Sequence, residues 1–418
     1  MRTLIENANV WHGDGRVSEA ATLALVEGRI DLDPPRDAEF DRVIDLVGRW
    51  VIPGMIDSHL HIWGVRSSNP ANWVVDPAGI RPFRAASDLL KVLGAGFTTV
   101  REAGSAMGPS VRDAILEGSI VGPRVIPAHL GLSSTGGHGD CHSLPLEWVN
   151  QRPYMATICD DSAEVRKAVR SVLREGGEWV KVWASGAIAL SDNDSPDQLH
   201  FSPEELAVIC DEAHRLGMKV GAHVEFPSAI QACLEAGIDV IEHGFVLDDE
   251  TIAQILAHDV PIVTTMALLR RYLRWVGPEV TEEQKAMAAE LLPQIMASAR
   301  AAHEAGVTLA MGSDSFAEPL TPFGANAEEL LALSEAGVPI EDCLRAATVN
   351  GARVLGREHD LGRIEQGYIA DLVVLGTIDP RSDLDQVADP RNIALVVKEG
   401  EALAGYALRD RAIEFEQG

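Results

Sequence analysis

The chain has 418 residues, 46% hydrophobic and 23% charged, a balance that fits one large buried core better than a disordered chain. Its formal net charge of −28, from 35 basic and 63 acidic residues, argues against nucleic-acid or anionic-membrane partners. MRTLIENANV has no apolar stretch behind a basic start, no apolar run reaches about 18 residues, and five scattered cysteines never take CxxC spacing. A cytoplasmic protein with reduced thiols is expected.

LIENANVWHGDG and ATLALVEGRI read as short strands closed by Gly and Asp, and IADLVVLG and IALVVKEGEALAG read alike at the other end. Residues 1–53 and 361–418 are therefore expected to pair into one small β-sandwich beside a central domain of residues 54–360. That centre repeats a βα rhythm. Strand candidates fall at VIPGMIDSH, FTTVRE, RVIPAHL, WVKVWA, KVGAH, DVIEH, PIVTT and VTLAMGSD. Between them SAEVRKAVRSVLREGG, SPEELAVICDEAHRLG, PSAIQACLEAG and DDETIAQILAHD carry helical periodicity, most of them closing near a Gly. Eight strands alternating with helices give an α/β chain of the (β/α)8 TIM-barrel class. An open doubly wound sheet is the alternative, but no Gly-rich dinucleotide fingerprint follows the first strand. The long connections 62–85, 131–162 and 267–300 are expected to cover the active face.

Strand ends of such a barrel should carry the chemistry. The first ends in His59-Leu60-His61, which a period of two places on one face. The fourth, Trp179-Val180-Lys181-Val182-Trp183, holds a lysine inside an apolar run; the fifth ends in His223, the sixth in Glu242-His243 and the eighth in Asp314. Any one of these can be a satisfied core residue or a helix cap. Together they bring nitrogen and oxygen donors from five strands to one mouth, as a metal site needs. Lys181, one of only six lysines, is costly to bury as an ammonium. It could form a Schiff base, pair with an acid, or take up CO2 as a carbamate that bridges two metals. With four histidines and an aspartate around it, the carbamate is the most economical reading.

VIPGMIDSHLHIWG, GFTTVREAG, GPRVIPAHLGLSSTGGHGD, WVKVWASG, AHVEF, IEHGF and MGSDS together resemble the amidohydrolase superfamily, most closely its imidazolonepropionase-like and prolidase-like members. LRAATVNGARVLGREHDLGRIEQGYIADLVVL resembles the same family's return to its β-sandwich. The resemblance implies two divalent metal ions, usually zinc. His59, His61 and Asp314 would hold the more buried ion, His223 and His243 the second, and carboxylated Lys181 would bridge them. His138, in TGGHGD, would contact the substrate carbonyl, and a homo-oligomer is expected on the same ground. Two departures are visible: GAHVEF puts Glu225 and Phe226 where a second histidine is usual, and Glu102 stands for the aspartate of TVRDAG.

The implied reaction is hydrolysis of an amide or carbamate C–N bond by a metal-bridging hydroxide. Asp314 would pass the proton from water to the leaving nitrogen and His138 would stabilise the oxyanion. In LLRRYLRWVG, Arg270, Arg271, Tyr272 and Arg274 could meet a substrate carboxylate, or form a solvated helix face. NPANWVVDPAGIRPF offers Trp73 and Phe83 for an apolar or aromatic pocket. Expected substrates are N-acyl amino acids, dipeptides, aryl amides or aryl carbamates. A lactam or imidazolone hydrolase, or a deaminase, is the alternative, although Lys181 counts against single-metal deamination. A non-catalytic scaffold would not be expected to keep all six ligand candidates, and no phosphate-cradling Gly loop points to a sugar-phosphate barrel.

Overall fold

The computed structural model describes residues 2–403 apart from 36, 143, 152–154 and 189–194. The expectation of β structure over 404–418 falls outside the described residues.

Eight parallel strands follow one another around the centre. They are β1 (Met55–Val65), β2 (Phe97–Glu102), β3 (Arg124–Pro127, resumed at Gly131–Ser133), β4 (Val180–Trp183), β5 (Val220–Val224), β6 (Val240–His243), β7 (Ile262–Thr264) and β8 (Leu309–Met311, resumed at Ser315–Ala317). Their ladders form two arcs. The first piece of β3 pairs with β2, which pairs with β1; the second piece pairs with β4, and the ladder runs on to the first piece of β8. The second piece of β8 then pairs with β1, Ser315 opposite Leu60. Both seams therefore fall within a strand that breaks and resumes, and the cyclic order is that of a (β/α)8 barrel.

Local signals place the helices between these strands. The Asp161 side chain accepts from the backbone N–H of Ala163 and Glu164 at the start of Ser162–Arg174, and Ser202 and Glu205 form a reciprocal cap on Pro203–Arg215. Gly237 closes Pro227–Ala236 at φ +92°, a left-handed conformation that costs glycine nothing. The 267–300 connection is largely helical, Ala267–Arg274 followed by Glu282–Ala305. Among the described residues no helix is long and apolar enough to cross a membrane.

The strands of the two chain ends meet in one eight-stranded sheet. Trp50–Pro53 pairs with Arg2–Trp11 on one side and with Leu372–Val374 on the other. The strands of both ends thus join through Trp50–Pro53, and the residues they enclose form a core of their own, as expected of one small domain built from the two chain ends. Alternation divides the sheet's faces: Leu372 and Val374 point into its own core with Ile5 and Leu25, while Val373 and Ile52 point into the barrel core. That contact anchors the chain immediately before β1, the strand that carries His59 and His61.

Candidate active site

The C-terminal ends of the strands open into a cavity of about 620 Å³. His59, His61, His223, His243 and Asp314 all line it, and Lys181 lies fully buried on β4. His61 Nε2 is 3.4 Å and His59 Nε2 3.7 Å from Asp314 Oδ1. One donor atom from each of these three residues falls within 4.8 Å of the others, a spacing a single cation can span. The His223 and His243 rings are 4.5 Å apart, and His243 is 4.9 Å from His59.

The polar atoms left over define what the site can hold. His59 Nε2, His243 Nε2, His223 Nδ1 and Lys181 Nζ are buried without a hydrogen-bond partner among the described residues. Four such buried atoms at the ends of neighbouring strands would be costly unless a ligand satisfied them. Nitrogen and carboxylate donors in this number suit divalent transition metals, so the residues fit the metal chemistry that the sequence implies.

Each ring is held from behind. His59 Nδ1 bonds Glu242 Oε2 at 2.7 Å, and His243 Nδ1 bonds Thr265 Oγ1 at 2.7 Å, which directs both Nε2 lone pairs into the cavity. Glu242 is in turn paired with Arg101, whose guanidinium lies 3.4 Å above the Trp179 ring. A Cβ at position 221 would come within 2.5 Å of Glu242 Oε1 and of the Arg101 guanidinium, so Gly221 leaves the notch in β5 that this pair occupies. Asp57 ties β1 to the β8 side: its carboxylate accepts from the backbone N–H of His59 and Ser313 and from the Asn326 side chain. His61 stacks on Trp63, with ring centres 4.3 Å apart. His243 and Asp314 themselves sit at φ +76° and +48°, strained conformations that the surrounding bonds must hold.

Electrostatics favour ligand protonation states. Burial lowers His61 to about 4, partly offset by Asp314, and burial with neighbouring cations takes His223 and His243 well below the ordinary histidine value. All three are neutral imidazoles at pH 7. Burial alone would raise Glu242, but the Arg101 charge and His59 hold its carboxyl far below the usual range. Burial lowers Lys181 to about 8 against the pull of Glu242 and Asp314, so a sizeable share of the amine is neutral near physiological pH.

His138 is buried at the cavity wall. Its ring stacks on His223 at 4.6 Å and 9°, and its backbone N–H donates to His200 Nδ1 at 3.1 Å. Trp73 and Tyr272 also line the cavity. Four expectations are corrected. Phe83 is 76% exposed, on the outward face of Arg81–Gly94, because the inner face of that helix is taken by Ala85, Leu89 and Val92. Arg270 turns away to Glu335 and the Glu328 carbonyl, and Arg274 is exposed and does not line the cavity. Arg271 likewise pairs with Glu328 at 2.9 Å. The helix face is therefore neither a carboxylate clamp nor wholly solvated: Arg270 and Arg271 cross-brace Ala267–Arg274 to Glu328–Glu335.

Arg101, Thr265 and Asp57 were not singled out from sequence. Arg101 carries the same signal as Lys181, a cation inside an apolar strand. Thr265 and Asp57 carry none, since a hydroxyl or carboxylate beside a strand end is common.

A barrel whose strand ends converge on a histidine, lysine and aspartate set of this kind defines a metal-dependent hydrolase class, and comparison with known proteins agrees. A model of the amidohydrolase family matches residues 50–403, and the chain belongs to that family. It is a hydrolase of carbon–nitrogen bonds. The ochratoxinase of Aspergillus niger is 32% identical over 372 residues, 85% of this chain and 76% of the relative. The crystal structure of that enzyme superposes with a TM-score of 0.87 at 29% identity, covering 97% of this chain and 96% of its own. A prolidase solved with N-methylphosphonate-L-proline also gives 0.87 at 29% identity, covering 97% and 100%. An imidazolonepropionase of Methylobacterium nodulans is 26% identical over 403 residues, 89% of this chain and 88% of the relative.

Proposed function

We propose that this chain hydrolyses the C–N bond of a small-molecule amide or carbamate at a centre of two divalent metal ions, with zinc as the native metal. The observation that carries the reading is the set of buried donors without partners, His59 Nε2, His243 Nε2 and His223 Nδ1 in the cavity that Asp314 also lines, together with the buried Lys181 Nζ on the adjacent strand β4. His59, His61 and Asp314 would hold one ion and His223 and His243 the other, with Lys181, as its carbamate, supplying a further oxygen donor. Ions bound there acidify water and polarise a carbonyl.

The chain's own groups supply the rest. Asp314 takes a proton from the attacking water at its carboxylate and delivers it to the leaving nitrogen, so amide and water become a carboxylic acid and a free amine. His138, held against His223 on the cavity wall, donates to the oxygen that gains charge as the carbonyl becomes tetrahedral. Trp63, Trp73, Trp183 and Phe316 present an apolar wall to the substrate. The reading extends to a cytoplasmic setting, supported by five buried free cysteines, and to a homo-oligomer on the strength of the family resemblance.

The test is reconstitution. Protein stripped by chelator and refilled with zinc in the presence of bicarbonate should take up two equivalents and gain activity on an aryl amide in proportion. Full activity after complete stripping would reject the metal-centred reading.

A further inference from the structure

We propose that His200 is a positioning residue for His138: its Nδ1 accepts the His138 backbone N–H and so ties the loop that carries His138 to the connection leaving β4. The inference rests on the hydrolase reading above, in which His138 donates to the carbonyl oxygen, and adds a residue that acts through it.

The loop after β3 is pinned along its length. Thr135 bonds the Asp160 carboxylate through its backbone N–H at 2.7 Å and its hydroxyl at 2.6 Å. Gly136 N–H donates to Asp140 Oδ2 at 2.8 Å, and Gly139 N–H donates to Ser133 Oγ at 3.1 Å. Those partners all belong to the same excursion, residues 131–162. The bond from His138 N–H to His200 Nδ1, 3.1 Å long, leaves that excursion and reaches the segment between β4 and Pro203–Arg215. His138 is thereby fastened to a neighbouring βα unit as well as to its own loop.

His200 has a fixed origin. Its backbone N–H donates to the Ala184 carbonyl at 2.8 Å, Leu199 bridges Ser185 in the antiparallel sense, and Gly186 N–H donates to the Gln198 carbonyl at 3.2 Å. Residues 198–200 thus run back along the continuation of β4. Phe201 follows, 1% exposed, and Ser202 opens the next helix with its reciprocal cap. From the other side, the absence of a side chain at position 139 lets the His138 loop press against β4. A Cβ there would fall 2.8 Å from Trp183 Cδ1 and from the Ala156 Cβ. The His138 ring then lies 5.0 Å from Trp183 and stacks on His223.

The donor fixes the tautomer. A backbone N–H only donates, so His200 Nδ1 carries the lone pair and the ring proton sits on Nε2. Asn can place an oxygen acceptor where Nδ1 stands. Phe fills the same space and leaves the His138 N–H without that acceptor, so the loop can shift. Misplacing a reacting group by about 1 Å costs on the order of 100-fold in rate.

The test compares zinc-loaded wild type, His200→Phe, His200→Asn and His138→Ala on an aryl amide. His200→Phe should lower kcat about 10- to 100-fold, with KM within about threefold and zinc content unchanged. His200→Asn should recover most of that loss. The double variant His138→Ala/His200→Phe should be no slower than His138→Ala, because both changes remove one function. Full kcat in His200→Phe, no recovery in His200→Asn, or losses that multiply in the double variant would overturn the assignment. A readout without turnover keeps the two ideas apart. Selective 15N-histidine labelling above the ordinary histidine pKa, with His200→Asn identifying the resonances, should show His200 with a bare Nδ1 and a protonated Nε2. A proton on Nδ1 would overturn the proposal even in an active enzyme, and this measurement alone decides if His200→Phe fails to fold. The expected tautomer in a protein that cleaves no amide would reject the hydrolase reading and keep the His200–His138 link.

Discussion

Glu242 and His59 lie on β6 and β1, strands that do not pair, yet Glu242 Oε2 and His59 Nδ1 meet at 2.7 Å with both side chains fully buried. The bond sets the tautomer of His59 and aims Nε2 at Asp314. Arg101 completes the chain from behind by pairing with the other oxygen of Glu242. Orientation of one cavity-facing ring is thus carried by an ion pair that never reaches the cavity.

Loss of that support should show in metal retention. Glu242→Gln should weaken zinc about 10- to 100-fold, read by competition with a chromophoric chelator, while the fold survives. Glu242→Ala should also strand the Arg101 charge and cost about 3–5 kcal/mol in denaturant unfolding. Unchanged zinc affinity in Glu242→Gln would show that His59 needs no such orientation.

Lys181 should take up CO2 as the neutral amine. With its value lowered to about 8, the neutral fraction grows about tenfold per pH unit below 8 and levels off above it. Metal-free protein given 13C-bicarbonate should therefore show a carbamate carbon signal that strengthens from pH 6.5 to 8.5 at fixed dissolved CO2. Lys181→Arg should show none and should fail to fill both metal positions. A labelled signal persisting in Lys181→Arg would assign the carbamate elsewhere.

Asp314→Asn keeps the size of the side chain and an oxygen donor but loses the proton acceptor. Turnover should fall about 10²- to 10⁴-fold with zinc still bound. A folded, fully active Asn variant would remove Asp314 from proton transfer.

The paired arginines should matter to stability, not to substrate. Replacing Arg270 and Arg271 together with Met should lower stability by about 1–2 kcal/mol, because two ion pairs between buried arginines and exposed glutamates, and the packing of the arginine stems, are lost. The kcat/KM for amide substrates should stay within about threefold in the folded fraction. A large rise in KM confined to carboxylate-bearing substrates would restore the clamp that the geometry argues against.

The sequence carried the parts of this site whose signals are local. His59 and His61 share a face because strands repeat every two residues, and Lys181 stands out because an ammonium in an apolar strand demands a reason. The family resemblance, carried by motifs spread along the chain, agrees with the family match over residues 50–403. What lay hidden depends on pairing across the barrel. Arg101 and Glu242 are 141 residues apart, and only the register of β2 through β6 makes them partners. Arg270 misled for the opposite reason. Charge on a short helix reads as solvent-facing or ligand-facing, and nothing local announces that Glu328 and Glu335 of a later helix will claim it and its neighbour. Phe83 misled through composition alone, because helix phase rather than aromatic character decides which way a ring points.

The central claim is that water is added across a carbon–nitrogen bond at this cavity. The most direct measurement is mass spectrometry of products from zinc-loaded protein on a matched panel of dipeptide, N-acyl amino acid, aryl amide, aryl carbamate and lactam. The account predicts that at least one open-chain member yields two fragments, a free amine and a free acid or its decarboxylated remnant, with 18O from labelled water in the acid or in the released CO2. Recovery of the whole panel uncleaved by folded, fully metallated protein would contradict it, whereas ring-opened lactam alone would keep the reaction and move the substrate to cyclic amides.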